Sequence, residues 1–292
     1  MNFPELLKAE QKNTEKYLNF YLDSLHIPGV LHDAMEYSLN AGGKRLRPFL
    51  SIVVCEMLGK PRELIMPYAC ALEFVHTFSL IHDDLPALDN DDLRRGKPSC
   101  HKAFREDIAI LAGDALNTDA FSLLFEFGEG NLKKAGKYFS KAVGGRGMTL
   151  GQVYDCTIPE NERTADKLDF INYYKTSELF IAATAGAAAW LDASEKEVKA
   201  LEDFASEIGI AFQISDDILD ITSTTEKLGK PAGSDAALSK MTYPALMGLE
   251  GARSAVVERT EKAKAALASV FKESEWMKIL MQFADYVRDM AK

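Results

Sequence analysis

Apolar residues recur at helical spacing along almost the whole chain. Tyr17, Leu18, Tyr21, Leu22 and Leu25 make one stripe, and Leu31, Ala34, Met35, Ser38 and Leu39 make a second that Asn40-Ala-Gly42-Gly43 terminates. Two prolines mark further starts, because a missing N–H is harmless in the first turn of a helix. Pro48 suits a helix ending near Gly59, and Pro67 opens one that runs to Asp83. Good helix formers, broken by Gly, Pro and polar turns, then fill 108–127, 132–143, 147–156, 168–191, 195–222, 243–249 and 252–290. No alternating apolar–polar run is bounded by hairpin signals. The pattern predicts an all-α bundle of about ten or more helices.

Composition narrows the class. With 292 residues, 47% apolar and 27% charged, the chain has ample core, and no Ser/Gly/Pro-rich linker divides it, so 1–292 reads as a single domain. The longest uncharged apolar stretch, 179–191, falls short of the roughly 20 residues a membrane span needs, and its alanines suit a closely packed buried helix. The first residues lack a basic segment followed by an apolar core, so a cytoplasmic location without membrane association is expected. Cys55, Cys70, Cys100 and Cys156 show no metal or redox spacing and are expected to be buried free thiols. A net charge of −10 disfavours nucleic acid as a partner.

The candidate chemistry lies in two acidic clusters, Asp83-Asp84-Leu-Pro-Ala-Leu-Asp89 and Asp216-Asp217-Ile-Leu-Asp220, each at the end of an apolar helical pattern. Asp216 and Asp220 are four apart and Asp217 and Asp220 three apart, so on a helix these carboxylates share a face and repel unless a cation joins them. Pro86 should bend or end the first helix and let Asp89 swing back toward Asp83. An EF-hand fails, since Arg94 stands where its loop needs Gly. Magnesium takes one or two carboxylates and shares its other positions with phosphate oxygens, so two such clusters suggest a polyanion held between them. The bland alternative for the second cluster is a helix end with capping carboxylates, and Asn90, Asp91 and Asp92 after the first read as solvated or as caps of the next turn.

Basic residues are grouped near these clusters. Arg94 and Arg95 follow the first acidic run, and guanidinium forks match phosphate oxygens. Gly42-Gly43-Lys44-Arg45-Leu-Arg47-Pro48 reads equally as an anion site or as a solvated basic turn. Lys230 and Lys240 flank Gly/Pro/Ser-rich sequence, which suits a flap over an anion or an ordinary surface loop. His76 lies seven residues before Asp83, and Lys175-Thr176, Gly151-Gln152 and Phe212-Gln213 place polar groups beside apolar walls.

Taken together, the five motifs at 42–48, 83–98, Gly151-Gln152, Lys175-Thr176 and 212–220, in this order and spacing over most of the chain, resemble the trans-isoprenyl diphosphate synthase family. The form most similar is the bacterial-type farnesyl diphosphate synthase, which has four residues between its first aspartate pair and the next aspartate. The resemblance implies an isoprenoid synthase-type helical bundle around a central cavity, a homodimer, and magnesium, three ions per active site. It implies that Lys44, Arg47, His76 and Arg95 hold isopentenyl diphosphate, and that Arg94, Lys175, Thr176, Gln213, Lys230 and Lys240 serve the allylic diphosphate, with Lys175, Thr176 and Gln213 beside the reacting carbons. Asp83, Asp89 and Asp216 would be metal ligands, supported by Asp84, Asp217 and Asp220. Ser234 stands where many relatives carry another lysine.

The implied reaction is head-to-tail condensation of isopentenyl diphosphate with dimethylallyl or geranyl diphosphate, giving farnesyl diphosphate. Phe78, at the fifth position before Asp83 and beside Ser79, is the residue that would set product length. In the resembling family an aromatic there accompanies fifteen-carbon products and a small residue longer ones. A twenty-carbon geranylgeranyl product is the alternative. A class I terpene cyclase is disfavoured because its second metal motif mixes Asn, Ser and Glu, and a non-catalytic partner subunit because both aspartate clusters are whole.

Overall fold

The computed structural model describes residues 2–223 and 240–292, so Lys230 and Ser234 lie outside the described residues. Among the described residues the architecture is all-α apart from one two-residue β-ribbon. Two compact units partition the chain. One gathers the residues up to Ile52 with Pro61–Gly130, the other Val53–Lys60 with the chain from Asn131 onward.

The first unit contains α1 (Phe3–Ser24), α2 (Val30–Leu39), the first part of α3 (Leu46–Met57), α4 (Met66–Asp83), α5 (Cys100–Phe104) and α6 (Glu106–Glu126). Asn2 caps α1 by accepting from the Glu5 N–H at 3.1 Å, and Pro4 occupies its first turn. α4 is its axis. Leu72, Phe74 and Val75 are fully buried together with Ala69, Cys70 and Ala71, so the helix is enclosed on every side until its last two turns. The ribbon, absent from the sequence expectation, pairs β1 (Leu93–Arg94) with β2 (Lys97–Pro98). Its turn is Arg95-Gly96, both left-handed with φ of 54° and 78°, a hairpin signal hidden by two-residue strands.

Contrary to the expectation that no segment is long enough to span a membrane, two helical segments, Arg62–Asp83 and Glu106–Glu126, have the length and mean hydropathy, 1.5 and 1.4, of a membrane crossing. Neither is an uncharged run, because each carries charged or polar residues. The first is core, with 72% of its apolar window buried, whereas the second buries 39% and exposes Ile110, Leu111 and Phe125.

The second unit contains α7 (Leu132–Val143), α8 (Met148–Thr157), a long helical run from Ala165 to Trp190, α12 (Glu195–Thr222), α13 (Tyr243–Ala268) and α14 (Glu275–Met290). The long run is not uniform. Its α-helical parts α9 (Ala165–Asn172), α10 (Glu178–Ile181) and α11 (Ala187–Trp190) are joined by π-helical turns at Tyr173–Ser177 and Ala182–Gly186. Ser194 and Glu197 form a reciprocal capping box that starts α12, which packs along α13. The predicted segment 252–290 is two helices, since Ser274 caps a new start by accepting from Met277 N–H at 3.1 Å. Gly248, with φ of 74°, kinks α13 inside the predicted segment 243–249, and the boundary expected at 250–251 is continuous helix. Cys156 is exposed and not buried as expected, because α8 buries only Met148 and Gly151.

Candidate active site

In the first unit the end of α4 shapes the acidic cluster. Asp84 is the C-cap, and the chain then folds back so that the Asp89 N–H donates to the Asp83 carbonyl at 2.9 Å, the return expected from Pro86. Asp83 and Asp89 are half-buried, while Asp84 is only 2% exposed. Burial pushes the Asp84 carboxyl up from its ordinary range, opposed by Arg94, whose Nε donates to Asp84 Oδ1 at 3.0 Å and whose Nη2 contacts the same oxygen. Arg94 also reaches Asp91 at 3.4 Å. Burial alone would lower Arg94, but its bonds to Asp84 outweigh that and its net shift is upward.

The basic residues of this unit form one cluster around α4. Gly43, with φ of 118°, lies against the Arg95 guanidinium, which donates to the Gly42 carbonyl, and a Cβ at Gly43 would collide with it. Arg45, only 2% exposed, donates from Nη1 to Glu73 Oε1 at 2.7 Å and from Nη2 to the Leu39 carbonyl. Its backbone is left-handed, with φ of 52°, and the buried side chain pins the loop that carries exposed Lys44 and half-buried Arg47. Burial lowers Arg47 to about 10, with Glu73 opposing and Arg95 reinforcing, so it stays charged at neutral pH. Arg95 is lowered by burial too, helped by Arg45 and Arg94. His76 is pushed well below its ordinary value, by burial first and then by Arg47, Arg95, Arg45 and Arg94, and is therefore a neutral imidazole. Glu73 is the buried carboxylate in this ring of cations, and no sequence motif pointed to it. Its signal was a lone acid inside the apolar run of α4, three residues before His76.

One turn before Asp83, Phe78 is half-buried and meets His82 edge-on, with ring centroids 5.7 Å apart. His82 Nε2 lies 3.1 Å from the Ile110 carbonyl, and its ring occupies the space a Cβ on Gly113 would fill, so α6 supports the Phe78–His82 pair. Ser79 turns away, donating to the His76 carbonyl at 2.9 Å.

In the second unit the π-turn Tyr173–Ser177 carries Lys175 and Thr176, and such turns recur at functional sites because they redirect side chains. It is held from two sides by glycine. A Cβ on Gly151 of α8 would run into the Lys175 backbone, and one on Gly209 of α12 into Ser177. Asp155 of α8, missed in the sequence, accepts from Lys175 Nζ at 2.5 Å. Thr176 Oγ1 lies 3.1 Å from Gln213 Oε1, and Gln213 Nε2 lies 3.1 Å from Asp217 Oδ1. Asp217 and Asp220 are 4% and 2% exposed, whereas Asp216 is half-buried. The Tyr243 N–H donates to Asp217 Oδ2 at 3.1 Å, so that carboxylate is held through both oxygens. Lys240 is half-buried just before α13. The Gln152 side-chain nitrogen is buried without a protein partner among the described residues, a donor left for a polar ligand.

Among the described residues no three His, Cys, Asp or Glu side chains converge as a closed metal cage. The donor set is instead aspartate carboxylates beside guanidinium and ammonium groups, which fits a hard cation that shares its coordination with phosphate oxygens.

The sequence model of the polyprenyl synthetase family matches residues 28–282. The chain belongs to that family. It is 42% identical over 269 residues to a farnesyl diphosphate synthase of Geobacillus stearothermophilus, covering 90% of this chain and 91% of that one. It is 44% identical over 270 residues to geranylgeranyl pyrophosphate synthase 7, chloroplastic, of Arabidopsis thaliana, covering 90% and 77%. The crystal structure of a geranyltransferase from Legionella pneumophila superposes with a TM-score of 0.85 at 30% identity, covering 98% of this chain and 96% of that one. As a polyprenyl synthetase the chain has the all-α isoprenoid synthase fold and is a prenyltransferase.

Proposed function

We propose that this prenyltransferase condenses isopentenyl diphosphate with dimethylallyl and then geranyl diphosphate and stops at farnesyl diphosphate, with residues 1–292 acting as one polyprenyl synthase domain. The similarity to both farnesyl and geranylgeranyl synthases supports the condensation and leaves product length to local geometry. One observation carries the fifteen-carbon reading. Phe78 puts an aromatic ring one turn before Asp83, edge-on to a His82 that α6 holds in place, so a tail growing along this face of α4 meets a supported wall.

In this reading Lys44, Arg47 and Arg95 bind the diphosphate of isopentenyl diphosphate, and neutral His76 adds a hydrogen bond without charge. Arg94, Lys175, Lys230 and Lys240 bind the allylic diphosphate. Asp83, Asp89 and Asp216 hold magnesium, three ions per active site, and Asp84, Asp217 and Asp220 support them. Magnesium held by these carboxylates would neutralise the charge that develops on the departing diphosphate. Thr176 Oγ1, the backbone carbonyl beside it and the Gln213 amide present weakly nucleophilic oxygen to the allylic cation, which stabilises it without capturing it. The double bond of isopentenyl diphosphate then forms the new carbon–carbon bond, and the released diphosphate takes the proton that is lost.

The exposed Ile110, Leu111 and Phe125 of α6, at 44, 55 and 67%, support a homodimer that covers this helix. Prolonged incubation with geranyl diphosphate and excess isopentenyl diphosphate tests the product reading. Accumulation of the fifteen-carbon diphosphate supports it, and conversion chiefly to twenty carbons refutes it.

A further inference from the structure

A chain of hydrogen bonds in the second unit links three elements and has only one possible polarity. Thr176 Oγ1 donates to Gln213 Oε1, Gln213 Nε2 donates to Asp217 Oδ1, and the Tyr243 N–H donates to Asp217 Oδ2, each step spanning 3.1 Å. The direction is dictated from the acidic end. A carboxylate offers only acceptors, so the amide nitrogen of Gln213 must face Asp217. The amide oxygen therefore faces Thr176, and an amide oxygen cannot donate. The single hydroxyl proton of Thr176 is committed to Gln213, and the lone pairs of Oγ1 are left for whatever lies beside it.

The acidic end is fixed in its turn. Asp217 is 4% exposed, and its second oxygen supplies the N-terminal cap of α13, whose own N-cap residue, Thr242, makes no side-chain cap bond. Asp217 therefore cannot rotate away without uncapping a 26-residue helix. Thr176 is held equally firmly at 7% exposure, on the π-turn wedged against Gly151 and Gly209.

We propose that Asp217, in place of the metal support given to it above, is a positioning residue that acts through Gln213 to lock the Thr176 hydroxyl as a donor, so that oxygen lone pairs, and not the O–H proton, meet the allylic cation. The proposal rests on the condensation reading above. With the hydroxyl reversed, the positive end of the O–H dipole would point at developing positive charge, and turnover would fall although every group remained in place.

Asp217→Asn tests it, because the side chain keeps its shape and its oxygen can still cap α13. The new amide nitrogen then faces Gln213, the Gln213 amide must flip, its nitrogen donates to Thr176, and the hydroxyl proton swings outward. The expected result is a kcat lower by roughly tenfold, the scale of one misdirected polar contact, with the magnesium concentration for half-maximal rate unchanged. In the T176V background the same substitution should cost clearly less, since no hydroxyl remains to be turned and only the flip of the Gln213 amide is left. An undiminished penalty in that background, or a raised magnesium requirement, overturns the proposal and makes Asp217 a metal ligand. Gln213→Leu cuts the chain without touching the α13 cap and, should D217N fail to fold, should lower kcat and do so by a smaller factor in the T176V background. Near-normal kcat for Q213L overturns the proposal as well. Wild-type protein that forms no prenyl product removes the underlying reading, whereas an active wild type with additive D217N and T176V penalties removes only this inference.

Discussion

The buried pair Arg45–Glu73 gives the sharpest stability prediction, because both side chains are 1% exposed and solvent screens neither. Glu73→Met removes the carboxylate that pairs with Arg45 at 2.7 Å and leaves a core guanidinium charge with Glu15, 4.0 Å away, as its acidic neighbour, at a cost of about 3–5 kcal/mol. At ~2–4 °C per kcal/mol for chains of this size, Tm should fall by roughly 6–20 °C. Arg45→Met removes the direct partner of the carboxylate instead and, with Arg47 and Arg95 still acting on Glu73, should cost less. Glu73 Oε2 has no hydrogen-bond partner among the described residues, so attraction within the pair repays its desolvation only in part. Replacing both residues with Met should therefore recover most of the loss, leaving ~1–2 kcal/mol for the hydrogen bond to the Leu39 carbonyl. Thermal unfolding by circular dichroism of the two single variants and the double variant decides the matter. The reasoning fails if the double variant is as unstable as the sum of the singles, since the pair would then hold more than mutual neutralisation. Where the protein stays folded, Arg45→Met should also raise the KM for isopentenyl diphosphate more than that for the allylic substrate, because Arg45 pins the loop bearing Lys44 and Arg47.

Asp83→Ala and Asp216→Ala should each lower turnover by about 100-fold or more with the helical signal intact, and near-normal turnover in either would contradict the two-cluster mechanism. Arg47→Ala should raise the KM for isopentenyl diphosphate selectively, by the equivalent of ~1.5–3 kcal/mol, and equal effects on both substrates would reject its assignment. Phe78→Ala should shift products toward twenty carbons or beyond, read by mass spectrometry after phosphatase treatment, and an unchanged fifteen-carbon product would place the wall elsewhere. His76 has a folded pKa well below its ordinary value of 6.5, so the unfolded chain binds the extra proton and stability falls as pH drops below about 6.5. His76→Gln should flatten that part of the stability–pH curve, and a curve identical to wild type would show that His76 is not held neutral.

Helices were legible because their apolar period is strong and their stops are chemical: Gly42-Gly43 after α2, Ser194 before α12. The ribbon at 93–98 was not, because two-residue strands carry no alternation and only Arg95-Gly96 marks the turn. The break at 269–274 was missed because its serines also occur inside helices, and the π-turns because they leave local composition unchanged. In the candidate site, acidic and basic runs announced themselves as clusters of like charge beside apolar sequence. The groups that orient them did not. Glu73, Asp155, Gly209 and the Tyr243 N–H each act on a residue at least 20 positions away, and Glu73 alone carried a local signal, a charge within an apolar helix.

The central claim, a metal-dependent two-substrate condensation that ends at fifteen carbons, is tested most directly by one time course. Purified protein, dimethylallyl diphosphate, isotopically labelled isopentenyl diphosphate and magnesium are mixed, and labelled products are resolved by chain length while released diphosphate is counted. The account predicts a transient ten-carbon product, a fifteen-carbon end product, one diphosphate released per isopentenyl unit incorporated, and no reaction when magnesium is chelated. Label that stays in isopentenyl diphosphate, or diphosphate release accompanied by hydrocarbon in place of a longer diphosphate, would contradict it.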